Sequence, residues 1–220
     1  MNLPNALTIA RIFFVPLLVA ALVQERISFS VGGFLITNDL LAVAIFLAAA
    51  GTDLLDGYLA RRWGQVTTVG TLLDPIADKL LISAALIALV QVRAVPAWMV
   101  VVLVGREFAV SGLRAIAAAE GYTIQASELG KTKMVGQVAA ITCLMASIRH
   151  PQFAFAGNLL LWIVMLFAVM SAIDYFRKFW RGIDERVKLR RRKELLMLER
   201  RKKAAVSQSG SGVGGFRGTI

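Results

Sequence analysis

Residues 53 to 78 read DLLDGYLARRWGQVTTVGTLLDPIAD and place four carboxylates, Asp53, Asp56, Asp74 and Asp78, in sequence that is otherwise apolar enough for a membrane. The run DLLAVAIFLAAAGT (39 to 52) leads into Asp53 without a break, and KLLISAALIALV (79 to 90) follows Asp78 directly. Ionisable side chains at such depth are expensive and by default mark function. On a helix turning about 100° per residue, Asp53 and Asp56 lie within about 60° of each other. Asp74 and Asp78 lie within about 40° and about 6 Å along the axis. Each pair makes one acidic edge. The connection RRWGQVTT is short, so the two helices are expected to be antiparallel neighbours whose acidic edges can face each other. Four converging carboxylates call for cations, and an all-oxygen set suits hard divalent ions such as Mg²⁺ or Mn²⁺. Gly57, Ala60 and Gly70 are small enough to let a bulky headgroup approach the backbone, and Arg61 is a fixed positive charge suited to phosphate.

Working outward, 57% of the 220 residues are hydrophobic and the mean hydropathy is +0.67, too apolar for an ordinary soluble domain. A span needs about 20 apolar residues, and the pattern supplies six: 6 to 24, 38 to 62, 69 to 92, 96 to 119, 131 to 148 and 157 to 180. The expected fold class is therefore all-α, a polytopic bundle of six transmembrane helices. Its membrane domain occupies 1 to 183, with a basic cytoplasmic helix at 184 to 206 and a disordered glycine- and serine-rich tail at 207 to 220. Residues 25 to 38 read as a short connection without chemistry. A single cysteine, Cys143, allows no intrachain disulfide and suits packing.

The formal net charge of +11 is concentrated: thirteen Lys and Arg stand against four Asp and Glu between Arg177 and Lys203. By the positive-inside rule this segment is cytoplasmic, and six spans then put the N-terminus and the acidic stretch on the same side. The reading is an integral protein of the cytoplasmic (inner) membrane whose site faces the cytoplasm. The basic segment attracts anionic membrane lipids; it has no interleaved aromatics from Asp184 onward, and no nucleic-acid partner is expected. His150, the only histidine, falls in a connection on the opposite side and is excluded as a base for this site.

Other polar residues inside the spans have two readings each. Asn5, Thr8 and Arg11 recur every third residue and make a polar line on one side of the first helix. That line is either a cap with a snorkelling arginine or an edge of the site. Arg106, Glu107 and Arg114 sit within the fourth span, either as internal ion pairs beside the small residues Gly105 and Gly112 or as a phosphate clamp. Lys131 and Lys133 open the fifth, where a helix N-terminus favours anions and where topology alone would also supply lysines. Lys79, next to Asp78, either balances charge or touches substrate.

The stretch D53-L-L-D56-G57-Y-L-A60-R61, eight residues, then G70-T-L-L-D74-P-I-A-D78 resembles the signature of the CDP-alcohol phosphotransferase family, with every fixed position filled. The resemblance implies a metal-dependent transferase of phospholipid biosynthesis. Asp53, Asp56, Asp74 and Asp78 would hold two divalent ions. Asn5, Thr8, Asp56, Gly57, Ala60, Arg61, Gly70 and Asp74 would bind the CDP moiety, and Asp78 would be the catalytic base. The donor implied is CDP-diacylglycerol. R106-E107-F-A-V-S-G-L-R114, G130-K131-T-K133 and the initial N-x-x-T-x-x-R are similar to the phosphatidylglycerophosphate-forming branch of the family. That branch implies sn-glycerol 3-phosphate as acceptor, its phosphate held by some of Arg106, Arg114, Lys131 and Lys133, and a homodimer. The aspartate signature by itself also admits inositol phosphate, serine or phosphatidylglycerol as acceptor. A divalent-cation transporter would likewise place carboxylates in spans, but it would more often show internal repeats and broken helices, and the sequence has neither.

Overall fold

The computed structural model describes residues 3–24, 28–31, 34–63, 68–121 and 129–211. In chain order the elements are α1 (Leu3–Val23), β1 (Ser28–Val31), β2 (Phe34–Thr37), α2 (Asn38–Trp63), α3 (Thr68–Gln91), α4 (Ala97–Ala119), α5 (Leu129–Ser147) and α6 (Gln152–Ser211). Six helices stand where six apolar runs were expected. The all-helical class holds except for the hairpin, whose antiparallel register runs from Ser28 opposite Thr37 to Val31 opposite Phe34. The connection expected at 25 to 38 is thus partly strand. Its sequence, SFSV and FLIT around a Gly-Gly pair, carries the ordinary hairpin signal.

The chain divides into two compact units, Met1–Gly112 with Gln125–Ile173, and Leu113–Ile124 with Asp174–Ile220. In the first, the most extensive helix pairings are α1 with α2 and α1 with α3, in nearly equal measure; α2 and α3 touch each other much less, and α5 packs on both. The N-terminal helix is therefore wedged against both acidic helices. Leu18, Phe46, Leu86, Leu89, Ile141, Leu144, Met145 and Leu161 are buried in this core. Large apolar side chains also face outward: on α1, Phe13 is 70% exposed while Arg11 is 0% exposed. Val101, Phe155 and Ile87 also point outward, exposed at 69%, 78% and 60%, which is the pattern of a surface solvated by lipid.

Among the described residues one stretch, Gln152–Asp184 with 33 residues, is long and apolar enough to cross a membrane; Leu7–Val23, Asn38–Thr52 and Met134–Ser147 are shorter apolar helical stretches. Helix α6 continues without interruption to Ser211. No break marks the boundary expected after 183, and residues 207 to 211, read from sequence as disordered, form its last turn.

Helix α3 ends in a Schellman motif. The Ala94 amide donates to the Leu89 carbonyl and the Arg93 amide to the Val90 carbonyl, both at 2.9 Å, with Arg93 at φ 60° and Pro96 preventing continuation.

Candidate active site

Asp53 lies ten residues before the end of α2, and Asp78 ten residues after the start of α3. Asp56 and Asp74 are similarly matched, seven residues before the end and six after the start. Counted along the helices, the outer residues lie about 15 Å and the inner about 10 Å from the ends of α2 and α3 that their connection joins. Gly57, Ala60 and Arg61 occupy the same end of α2, and Gly70 the opening turn of α3. The side chains of Asp53, Asp56, Ala60, Arg61 and Asp74 lie outside the described residues. So do those of Asn5 on α1 and of Lys131 and Lys133 in the first turn of α5.

Asp78 is the member of the quartet whose side chain is described, and its Oδ1 accepts a hydrogen bond and ion pair from Arg11 Nη1 of α1. A completely buried arginine pairing with a residue 67 positions away does not snorkel; the Arg11 end of the N-terminal polar line meets Asp78 of α3. Thr8, one turn earlier, is buried with it. Arg11 was absent from the residues assigned to the site by resemblance. The signal that could have found it is the three-residue recurrence of Asn5, Thr8 and Arg11.

Lys79 turns away from Asp78 and donates to Ser111 Oγ on α4; that hydroxyl in turn donates to the Glu107 carbonyl at 2.7 Å. Arg106 donates to Glu107 Oε1 at 2.6 Å, to the Ala168 carbonyl at 3.2 Å and to Ser171 Oγ at 2.9 Å. These contacts pin α4 to α6, and the ion pair expected within the fourth span is present. Gly105 and Gly112 do not serve tight packing within the chain, since a Cβ at either would meet nothing within 4 Å. In the second unit the Arg114 guanidinium donates to Tyr175 Oη and lies 4.9 Å from the centre of its ring.

Asp53 and Asp56 fall in the C-terminal half of α2 and Asp74 and Asp78 in the N-terminal half of α3, and the buried Arg11 guanidinium of α1 pairs with Asp78. An all-oxygen donor set of this kind fits a hard divalent cation.

Residues 1–172 match the family model described as CDP-alcohol phosphatidyltransferase. The chain is 41% identical over 191 residues to the Bacillus subtilis CDP-diacylglycerol–glycerol-3-phosphate 3-phosphatidyltransferase, covering 83% of this chain and 97% of that one. A protein of the same name from Rickettsia felis is 35% identical over 182 residues, covering 80% and 94%. The CMP-forming cardiolipin synthase of Oryza sativa is 34% identical over 200 residues, covering 82% of this chain and 58% of that one.

Proposed function

The chain belongs to the CDP-alcohol phosphatidyltransferase family, and we propose that it transfers the phosphatidyl group of CDP-diacylglycerol to sn-glycerol 3-phosphate. The products are phosphatidylglycerophosphate and CMP. The observation that carries this reading is the similarity to the Bacillus subtilis enzyme, which extends over 97% of that protein and so takes in the acceptor side as well as the aspartate signature. The likeness to a cardiolipin synthase favours phosphatidylglycerol as the second candidate acceptor. The basic set Arg106, Arg114, Lys131 and Lys133 argues for an acceptor carrying its own phosphate.

In the reaction, an acceptor hydroxyl attacks the phosphorus that bears the diacylglycerol, and the bond to the CMP oxygen breaks. Asp78 takes the hydroxyl proton in this reading, and His150, in a connection expected on the opposite side, has no part in it. Asn5, Thr8, Gly57, Ala60, Arg61 and Gly70, with Asp56 and Asp74, shape the CDP site. Asp53, Asp56, Asp74 and Asp78 would hold two Mg²⁺ or Mn²⁺ ions, which supply charge neutralisation for the diphosphate and the departing CMP. Some of Arg106, Arg114, Lys131 and Lys133 hold the acceptor phosphate.

All six helices cross the cytoplasmic membrane in this reading, with the aspartates toward the cytoplasm. Support comes from the outward Phe13 and inward Arg11 of α1 and from the basic segment after Arg177. The donor's acyl chains then stay in lipid while its headgroup meets a soluble acceptor. The reading includes a homodimer, and the open space at Gly105 and Gly112 on α4 supports it.

The deciding experiment follows CMP release by purified protein with CDP-diacylglycerol, Mg²⁺ and one acceptor at a time. Glycerol 3-phosphate should give the fastest release. Faster release with phosphatidylglycerol, inositol phosphate or serine would reassign the acceptor.

A further inference from the structure

We propose that Arg11 is a positioning residue for Asp78, holding its carboxylate in the orientation from which it receives the acceptor proton. The inference rests on the transfer reaction proposed above.

Three observations carry it. First, the guanidinium is entirely buried in a helix whose neighbouring Phe13 is 70% exposed, so its placement is not set by lipid or solvent. Second, the cation nearest to Asp78 in sequence does not serve it, because Lys79 is engaged with Ser111 on α4; the charge comes from Arg11 on α1 instead. Third, α1 is packed against both α2 and α3, so its position is fixed relative to both acidic helices.

Stability gives little reason for such a pair. A buried ion pair recovers its desolvation cost only with excellent geometry, and replacing both partners by apolar groups is often neutral. Orientation is a better account. A planar guanidinium fixes a carboxylate through directed N–H bonds, which a lysine cannot reproduce. A base must stand within hydrogen-bond reach of its proton, and a misplacement of about 1 Å costs about 100-fold in rate.

The test uses the full-length protein in detergent, with Arg11→Lys, Arg11→Gln, Asp78→Asn and the double variant Arg11→Gln/Asp78→Asn. We expect kcat to fall about 10-fold in Arg11→Lys and about 100-fold or more in Arg11→Gln, with KM for donor and acceptor within about 3-fold of wild type. Melting temperatures without substrate or cation should show coupling. Each neutralised single variant melts lower than wild type, and the double variant recovers at least half of the summed loss. Wild-type kcat in Arg11→Lys, a loss carried by KM alone, or additive melting shifts would each overturn the proposal. Should Arg11→Gln not fold, kcat and KM of Arg11→Lys still decide it. Rates are measured with every acceptor in the panel. A different best acceptor with the same Arg11 effect refutes the acceptor assignment alone, whereas phosphatidylglycerophosphate formation insensitive to Arg11 refutes this proposal alone.

Discussion

Arg106 Nη2 on α4 stands 2.9 Å from Ser171 Oγ on α6, so a residue expected to clamp a substrate phosphate also ties two helices together. With Glu107 and the Ala168 carbonyl it has three partners, whereas Arg114 has Tyr175. The two arginines should therefore fail differently. Arg106→Ala removes the hydrogen bonds to Glu107, the Ala168 carbonyl and Ser171 and should cost about 1–3 kcal/mol of stability. Arg114→Ala should leave the melting temperature within about 2 °C and raise KM for glycerol 3-phosphate about 10-fold. Melting curves and acceptor titrations on both variants check the split.

Asp78→Asn removes the proposed proton acceptor while keeping its size. Turnover should drop at least about 1000-fold, with cation-dependent binding of CDP-diacylglycerol retained. Chelation of divalent cations from the wild-type enzyme should remove CMP release and donor binding together, and added Mg²⁺ or Mn²⁺ should restore both. Equilibrium binding beside single-turnover rates separates the two effects.

Val101, Gly105, Phe108 and Gly112 fall on one side of α4, about 60° wide at 100° per residue. Val101 and Phe108 are 69% and 59% exposed, and there is open space beyond both glycines. In lipid, small residues on an open helix face let a second helix approach closely. Gly105→Leu and Gly112→Leu should shift a dimer to monomer with little change in melting temperature. Size-exclusion chromatography with light scattering in detergent reads the outcome.

Helix positions were legible because apolar runs of about 20 residues between charged or proline-bearing connections leave few alternatives, as for Ala97–Ala119 after Pro96. The aspartates stood out by their spacing within apolar sequence, and the side chain described among them, Asp78, has a partner in Arg11. The hairpin was not read, because a search for long apolar periods passes over two four-residue alternations such as SFSV and FLIT. The pairing of Arg11 with Asp78 could not be read either. Spacing reveals which residues of one helix share a side, but not which helix that side meets across 67 residues.

Arg93 is the non-glycine residue with positive φ, 60°, among the described residues, and it holds the C′ position of the motif that ends α3. An L-residue in this conformation is about 1–2 kcal/mol worse than glycine, and the greater unfolded-state freedom of glycine returns part of the difference. Arg93→Gly should therefore stabilise the protein by about 0.5 kcal/mol, raising the melting temperature by about 1–2 °C. Activity should be unchanged, since the motif is at the far end of α3 from Asp74 and Asp78.

At Gly157 on α6 the backbone of α5 comes close: an added Cβ would lie 2.9 Å from Leu144 Cγ and 3.1 Å from the Leu144 amide nitrogen. A leucine side chain can rotate, but the amide cannot move without separating the helices, and dense packing around Leu144 and Leu161 resists that. Gly157→Ala should destabilise by about 1–3 kcal/mol, lowering the melting temperature by about 3–8 °C. Gly136→Ala, whose Cβ would meet only Val164 Cγ2 at 3.4 Å, should be neutral or slightly stabilising because alanine is the better helix former. Adding Leu144→Ala to Gly157→Ala should not restore wild-type melting, since the backbone contact persists. Full recovery in that double variant would show that the side chain alone sets the approach of α5 to α6.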